Sequence, residues 1–294
     1  MNKKLFALLV TLILWGSGFA GVRAGLRGYS PEHLVALRFA IASLVLVGYA
    51  YLTRMRLPQV KDLPAIALGG FLGISTYHLC LAFGQQTVTA GAASLLNASS
   101  PIFTALLATA FLGEKLTARG WLGIVISFTG AALISLGEIR GFHFNFGAVL
   151  IVLAAISQGF YFILQKPLLK KYGAFELATY TIWSGTIALL GFLPDTASVR
   201  LASLESTLAI AYLGIFPAAI AYMTWTYTLS QISAAKAASY LYLVPFFAIA
   251  IAWIWLQELP SLLSVIGGII TLVGIFIVNL TSDTRLYAKK DEKI

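Results

Sequence analysis

The chain of 294 residues is 59% hydrophobic and only 11% charged, with a mean hydropathy of +0.88. Soluble domains carry about 25% charged residues, so this composition excludes a globular protein that faces water on all sides and indicates a lipid bilayer as its surroundings. The net charge of +9 comes from Lys and Arg residues in short segments between apolar runs. A contiguous basic surface is missing, which argues against nucleic acid as a partner.

Long apolar runs define the predicted elements. A membrane-spanning helix needs about 20 mostly apolar residues, because each residue rises about 1.5 Å through a hydrocarbon core about 30 Å thick. Ten segments meet this test and lack the alternation of barrel strands: 5–22, 31–53, 63–83, 88–111, 117–136, 146–165, 174–193, 205–227, 234–256 and 261–280. The sequence therefore predicts an all-α integral membrane protein with ten transmembrane helices.

The N-terminal run allows a second interpretation. Lys3 and Lys4 precede an apolar stretch that ends near Gly18-Phe19-Ala20, which also fits a cleaved secretory signal. The stretch from Leu5 to Val22 is long for a signal, and its removal would break the repeat described below. We therefore assign it as the first span.

Basic residues predict the orientation of the chain. With a cytoplasmic N-terminus, fifteen Lys and Arg residues fall on the inside and four on the outside, namely Arg23, Arg27, Arg140 and Arg200. Cytoplasmic loops carry the excess of basic residues in membrane proteins. Both termini are therefore predicted to be cytoplasmic, with a charged and frayed tail over 282–294.

The two halves of the chain repeat each other. A shift of 144 residues superimposes four pairs without a gap: Pro101 on Pro245, Glu114 on Glu258, Gly123 on Gly267 and Gly130 on Gly274. Each half, 1–140 and 141–281, holds five predicted spans. Five is odd, so the second half must enter the membrane from the opposite side. Such inverted repeats are how many transporters achieve alternating access.

Short motifs follow one another in a fixed order along the chain, and some of them occur again in the second half. They are Trp15-Gly16-Ser17-Gly18-Phe19 with Arg23, Arg38-Phe39, Pro101-Ile102-Phe103-Thr104, Leu112-Gly113-Glu114-Lys115-Leu116, and, in the second half, Pro245 and Leu256-Gln257-Glu258-Leu259. In these motifs the chain resembles the drug/metabolite transporter superfamily, in its EamA-type branch of ten helices. The resemblance implies an exporter of amino acids or other metabolites in a bacterial inner (plasma) membrane, with a central cavity between the halves.

The second half departs from this pattern at two places. Ile156-Ser157 stands in place of the Trp-Gly pair, and Thr181-Ile182 stands in place of the Arg-Phe pair. The resemblance therefore leaves open whether Arg23 and Arg38 act in transport or only in the folding of the first half.

Polar and aromatic side chains inside the predicted spans are the candidate substrate-binding residues, because lipid offers them no hydrogen-bond partner. The nine predicted residues are Trp15, Tyr77, His78, Asn97, Gln158, Tyr161, Tyr222, Trp225 and Tyr242. His78 is the central one, since an imidazole can bind a solute and exchange a proton near neutral pH. The shift of 144 residues places it opposite Tyr222. Ordinary helix packing explains each of these side chains as well, so that role stays open.

The fourth span carries a polar face. Ser94, Asn97, Pro101 and Thr104 are spaced three, four and three residues apart, which puts them on one side of a helix. Close helix packing or a solute path both account for the small residues, while Asn97 offers directional recognition. Pro101 and Pro245 each remove a backbone hydrogen bond and can kink a helix, either as a gate or as a static bend.

Acidic residues and the single cysteine narrow the chemistry. Glu114 and Glu258 lie at turns before a new helix, where a negative charge stabilises the helix start; a proton relay is the alternative. No Asp or Glu falls in the middle of a predicted span, and Cys80 alone forms no intrachain disulfide or thiolate cluster. No phosphate-binding glycine loop occurs, so neither a metal, a cofactor nor direct use of ATP is predicted.

Together these features predict a secondary transporter that exports a small neutral or amphipathic metabolite, with an amino acid, including aromatic ones, as the leading substrate. The driving force is either the substrate gradient or proton exchange through His78. Two alternatives remain: an intramembrane enzyme using His78 with Ser75, and a sensor or assembly factor without transport. The sequence does not set the oligomeric state.

Overall fold

The computed structural model describes residues 3–112, 118–137, 145–231 and 240–291, and every regular element in these ranges is helical. The first half contains α1 (Lys3–Gly25), α2 (Pro31–Thr53), α3 (Leu63–Gly70), α4 (Tyr77–Gly84), α5 (Ala90–Asn97), α6 (Ser100–Leu112) and α7 (Ala118–Gly137). The second contains α8 (Phe146–Leu168), α9 (Ala174–Leu189), α10 (Thr196–Leu201), α11 (Leu204–Leu213), α12 (Ala221–Gln231), α13 (Val244–Leu256) and α14 (Leu262–Asp291). Short 3₁₀ turns cover Val60–Asp62, Leu190–Phe192 and Leu241–Leu243.

The prediction of an all-α membrane protein is confirmed over these ranges. Five helical stretches are long and apolar enough to cross a bilayer: Lys3–Gly25, Pro31–Thr53, Val60–Gly84, Phe146–Leu168 and Leu204–Gln231. Shorter apolar helices cover Ala118–Ile134, Val244–Leu256 and Leu262–Gly274. The count of ten spans stays a prediction, because the fourth predicted span is interrupted and part of the ninth, 232–239, lies outside the described residues.

The C-terminal tail and one connection between helices differ from the sequence-based expectation. The tail was expected to fray from residue 282, and this expectation is wrong, since α14 continues through Asp291. The connection before α11 holds the short helix α10, which the apolar pattern does not predict. Its first turn is capped by Asp195, whose carboxylate accepts a hydrogen bond from the backbone N–H of Ser198 at 2.8 Å.

Helices α7 and α14 form the closest pair between the halves. A Cβ atom added to Gly130 would lie 2.5 Å from the carbonyl oxygen of Gly267, and one added to Gly274 would lie 2.5 Å from that of Gly123. Such distances leave room only for glycine, so the two backbones touch directly. These are the four glycines that the internal repeat superimposes.

Two hydroxyl groups tie the same helices together reciprocally. Ser127 Oγ donates to the carbonyl of Thr271 at 3.1 Å, and Thr271 Oγ1 donates to the carbonyl of Ser127 at 3.4 Å. The two residues are 144 positions apart, which is the repeat shift. Exchanging the halves therefore maps this contact onto itself.

Two π-helical segments occupy equivalent places in the repeat. Phe71–Thr76 joins α3 to α4, and Gly214–Ile220 joins α11 to α12. The repeat shift carries the first segment onto 215–220, which is the second segment without its first residue. Such segments are rare and often lie at functional sites. Each is followed two residues later by a central side chain, His78 or Tyr222.

The helices that contain the matched prolines are both interrupted. Helix α5 ends at Asn97 and α6 begins at Ser100, immediately before Pro101. The 3₁₀ turn Leu241–Leu243 likewise precedes α13, in which Pro245 is the second residue. Proline has no backbone N–H to continue the preceding turn. Interrupted helices are where transporters commonly build their binding sites.

Helix α1 runs through the second half and brings the two halves together. A Cβ atom on Gly16 would lie 2.6 Å from Cβ of Phe247 in α13, and one on Gly21 would lie 2.8 Å from Leu213 in α11. The absence of side chains at these glycines lets α1 approach both helices closely. Trp15, beside Gly16, is thereby held at the centre of the bundle.

Candidate substrate-binding site

A pocket lies between the two halves, and both interrupted helices contribute to it. It holds about 640 Å³ of space free of atoms, including the part open to solvent. From the first half it is lined by Trp15, Gly18, Phe19, Arg38, Tyr77, His78, Leu81, Ser94, Asn97, Ala98, Ser100 and Pro101. From the second half it is lined by Gln158, Pro217, Tyr222, Leu241, Val244 and Pro245.

Six of the nine predicted binding residues line this pocket: Trp15, Tyr77, His78, Asn97, Gln158 and Tyr222. Tyr161 and Trp225 are buried behind the lining side chains. Tyr242 belongs to the 3₁₀ turn at the pocket edge, and its side chain lies outside the described part of the chain. A role in substrate binding stays a prediction for all nine.

His78 and Tyr222 join the halves at the pocket. His78 Nε2 lies 2.9 Å from the hydroxyl of Tyr222, and the two residues are 144 positions apart. The sequence-based expectation that they lie opposite each other is thus confirmed. The Tyr222 hydroxyl in turn donates to the carbonyl of Gly73, in the first π-helical segment, at 3.4 Å.

The contact with Arg38 determines which ring nitrogen of His78 carries the proton. Arg38 Nη1 lies 3.3 Å from His78 Nδ1, and a guanidinium nitrogen only donates. Nδ1 must therefore accept, so Nε2 carries the proton and donates to Tyr222. This arrangement suits a neutral imidazole, because a protonated His78 would turn an N–H group toward the N–H groups of Arg38.

Aromatic rings form one wall of the pocket. The ring of Trp15 packs edge-on against Tyr222, with centroids 5.4 Å apart, and lies 5.2 Å from the ring of Trp225. Trp225 packs in turn on Phe162 at 5.4 Å. Trp15 and Tyr222 present this surface to the pocket, while Trp225 supports it from behind. Such a wall suits apolar or aromatic groups of a ligand.

Tyr161 also supports the site from behind. Its hydroxyl accepts a hydrogen bond from Gln165 Nε2 at 2.6 Å and lies 3.1 Å from Thr181 Oγ1. Its ring fills the space beside Gly73, where an added Cβ would lie 2.3 Å from the ring. The glycine therefore lets the π-helical segment pack directly on the ring.

Polar groups at the break between α5 and α6 are incompletely satisfied. The side chains of Asn97 and Gln158 lie within hydrogen-bonding reach of the Tyr77 hydroxyl. Asn97 Oδ1 and Ser100 Oγ are buried and have no hydrogen-bond partner among the described residues. Buried polar atoms normally have partners, so these two, which flank the break between α5 and α6, are available to a ligand.

Sequence reasoning left Arg38, the charged residue of the pocket, outside the candidate set. Arg38 is only 3% exposed, and its side chain lines the pocket. A signal was present, since Arg38 is the one basic residue in the middle of a predicted span, and ionisable groups at membrane depth commonly mark a site. The role of Arg38 was left open because the second half has Thr181 at the corresponding place.

Ser75 does not form the pair with His78 that an intramembrane enzyme would need. Its hydroxyl donates to the carbonyl of Gly185 at 2.9 Å. Both ring nitrogens of His78 already have Arg38 and Tyr222 as partners. The proposed nucleophile–base pair is therefore wrong for this arrangement.

Arg23 joins the halves at the end of the bundle where α1 finishes. Its Nη1 donates to the carbonyl of Gln85 at 2.7 Å, and its Nε lies 3.3 Å from Glu258 Oε1. Glu258 was expected to cap the next helix, but Ser261 does so, accepting from Ser264 N–H at 3.1 Å. The carboxylate pairs instead with the full positive charge of Arg23. Glu114 lies outside the described residues.

A family model supports the repeat that the motifs indicate. The model described as the EamA-like transporter family matches residues 2–136 and, a second time, residues 145–280. The two matches together cover most of the chain.

Named relatives and a solved structure resemble nearly the whole chain. "Uncharacterized transporter YdfC" of Bacillus subtilis is 44% identical over 280 residues, covering 94% of this chain and 92% of the relative. A "Probable terminal-alkyne amino-acid exporter" of Streptantibioticus cattleyicolor is 38% identical over 282 residues, covering 95% and 94%. A solved structure known only as "Crystal structure of protein" superimposes with a TM-score of 0.64 at 18% identity, covering 95% of this chain and 98% of the other. At that identity the likeness concerns the fold alone.

Proposed function

The chain belongs to the EamA-like transporter family, and we propose that it is a secondary exporter of small amphipathic metabolites, amino acids first among them. The transporter lies in the bacterial inner (plasma) membrane with both termini cytoplasmic, as the distribution of basic residues indicates. The observation that carries the proposal is the pocket between the halves. It combines an aromatic wall, unsatisfied polar atoms and two interrupted helices.

Alternating access is the mechanism that this architecture favours. Two five-helix repeats, 1–140 and 141–281, cross the membrane in opposite senses and enclose the pocket. The reciprocal contact of Ser127 with Thr271 and the paired π-helical segments support such a relation. Rocking of one repeat against the other would open the pocket to each face in turn.

Labelling of single cysteines tests the inverted arrangement. We expect cysteines at Arg119 and Pro260 to react with a membrane-impermeant reagent from opposite sides of the membrane, in a background where Cys80 is replaced by Ser. Reaction of both from the same side would make the repeats parallel and remove the basis for alternating access.

An amino acid is the leading substrate for two reasons. The relative from Streptantibioticus cattleyicolor is named for amino-acid export. The pocket also contains both neutral polar atoms and an aromatic wall, which suits a compact polar group joined to an apolar side chain. Export driven by the substrate gradient, or by proton exchange through His78, needs no nucleotide.

Flux through purified protein tests the proposal. Proteoliposomes loaded with radiolabelled leucine, phenylalanine, methionine or threonine should release at least one of them faster than protein-free liposomes. The His78→Ala variant should insert normally but lose this flux or change its dependence on pH. If flux and its pH dependence are unchanged in that variant, His78 has a structural role only.

Solute release and product formation by the purified protein distinguish the two alternative functions. A sensor or assembly factor would release none of the solutes. An intramembrane enzyme would convert a lipid or peptide substrate to product in the absence of any gradient, and the hydrogen bonds of Ser75 and His78 provide no support for it.

A further inference from the structure

Arg38 is a buried cation without an acidic partner. It is the eighth residue of α2 and is 3% exposed. Across the described ranges the ion pairs join Arg23 to Glu258, Arg27 to Glu205 and Lys171 to Asp62, and none includes Arg38. A charge removed from water without a counter-charge is strongly unfavourable. Something must therefore offset this one.

Within the described ranges, Arg38 has only neutral contacts. Its Nη1 donates to His78 Nδ1 at 3.3 Å, its Cζ lies 5.3 Å from the centre of the Phe39 ring, and its Nε has no hydrogen-bond partner. A guanidinium carries five N–H donors in a planar fork. The bond to His78 uses one of them, so an anion in the pocket could bind the fork without displacing the imidazole.

The neighbouring pocket atoms define what kind of anion fits. Helix α6 has 13 residues and begins at Ser100, so the positive end of its dipole faces the same pocket as Arg38. Ser100 Oγ lacks a partner and can donate to an anion. Asn97 Oδ1 also lacks a partner, but an amide oxygen only accepts, so it requires a donor such as an ammonium group.

We infer that Arg38 binds the carboxylate of the transported amino acid, while Asn97 Oδ1 accepts a hydrogen bond from its ammonium group. The inference rests on the proposed function and names the group through which the substrate is recognised. One guanidinium matches one carboxylate in charge and in planar geometry. The aromatic wall formed by Trp15 and Tyr222 then receives the side chain of the substrate.

This arrangement also predicts which compounds are rejected. An amine without a carboxylate brings a second positive charge beside Arg38, and the repulsion opposes binding. A dicarboxylate or phosphate monoester carries more negative charge than the single cation offsets. The pocket therefore selects solutes that carry one carboxylate.

Matched pairs of compounds test the inference on the wild-type protein. The probes are leucine, phenylalanine, methionine and threonine, each compared with its carboxamide, which keeps the ammonium group and the side chain but lacks the carboxylate. Thermal stabilisation of detergent-purified protein and counterflow in proteoliposomes both report binding. We expect the free acids to stabilise and exchange, and the amides to bind roughly ten- to a hundredfold more weakly, the effect of losing a charged hydrogen bond.

Variants test whether Arg38 and Asn97 cause the preference for free amino acids. Arg38→Gln should remove the preference for the acid over the amide, Arg38→Lys should retain part of it, and Asn97→Leu should weaken binding of free amino acids more than that of their N-acetyl derivatives. Arg27→Gln is the matched control, because that arginine forms an exposed ion pair with Glu205 and does not line the pocket. Variants are compared only where they elute as a single monodisperse species, and the wild-type comparison of acid with amide needs no variant.

The results distinguish failure of the inference about Arg38 from failure of the proposed substrate class. If the wild-type protein binds amides as well as acids, or if Arg38→Gln keeps the full preference, the inference is wrong while amino-acid export stands. If none of the eight compounds binds or is exchanged, the proposed substrate class fails, and the inference fails with it.

Discussion

The two faces of the pocket come from equivalent positions of the repeat, yet they differ in chemistry. Four pairs related by the shift of 144 residues line the pocket together: His78 with Tyr222, Asn97 with Leu241, Ser100 with Val244, and Pro101 with Pro245. The prolines agree, whereas the first half offers an amide and a hydroxyl where the second half offers two aliphatic side chains. The halves thus share the backbone interruption and divide the polar and apolar groups between them.

The same division extends to the neighbouring helices. Arg38 in α2 corresponds to Thr181 in α9, whose hydroxyl lies 3.1 Å from that of Tyr161 behind the pocket. His78 corresponds to Tyr222, so at this position the first half has an imidazole and the second half a phenol. Symmetry of the backbone suits two equivalent conformations, and asymmetry of the side chains suits a ligand with one polar and one apolar end.

The largest loss of stability is expected where the backbones of α7 and α14 approach most closely. Gly130→Val would push a side chain into the carbonyl of Gly267 and separate α7 from α14, at a cost of about 1–3 kcal/mol or more. The thermal unfolding temperature in detergent should fall sharply. Gly48→Val is the control, because no atom lies within 4 Å of a Cβ added at Gly48. Equal stability of the two variants would show that α7 and α14 do not pack as described.

A smaller loss of stability is expected where the halves meet through His78 and Tyr222. Tyr222→Phe would leave the Nε2–H of His78 buried without an acceptor, which costs about 1–3 kcal/mol. Tyr51→Phe is the matched control, since Tyr51 is 84% exposed. We expect the double variant His78→Leu/Tyr222→Phe to lose less stability than the two single variants together. Additive losses would argue against the hydrogen bond.

The smallest loss of stability is expected at the end of the bundle, where Arg23 of the first half pairs with Glu258 of the second. Arg23→Gln removes the bond to Gln85 and the ion pair with Glu258 and should cost about 1 kcal/mol. Arg27→Gln should change stability by less than about 0.5 kcal/mol, because its pair with Glu205 is more than half exposed. Thermal unfolding of both variants checks this order. A reversed order would contradict the bridging role of Arg23.

The sequence predicted those features that depend on composition and on the repeat. Apolar length identified the membrane class. The shift of 144 residues matched the four glycines, although it did not predict that they bring α7 into contact with α14, and it placed His78 opposite Tyr222. These contacts follow from symmetry, because a residue near a two-fold axis must meet its own counterpart. No knowledge of side-chain packing was needed for the pairing of His78 with Tyr222.

The remaining features depend on tertiary contacts that no local pattern contains. Pro101 signalled a distortion of its helix, but not that the chain would be interrupted at Ala98 and Ser99. Trp15 and Trp225 look alike in sequence, and only the packing of the helices decides which one faces the pocket. Likewise, no local pattern shows that Arg38 has no acidic neighbour in the part of the chain that the structure describes. The π-helical segments had no signal that we could identify.

The reciprocal contact of α7 with α14 has a consequence for assembly. An interface that maps onto itself when its two sides are exchanged is isologous, and it is closed once both sides are occupied. Here a single chain supplies both sides, so this glycine-rich surface is already saturated within one molecule. Any association between copies of the protein must therefore use another, lipid-facing surface, such as the one around Phe246 and Ile254 on α13, which are 79% and 71% exposed.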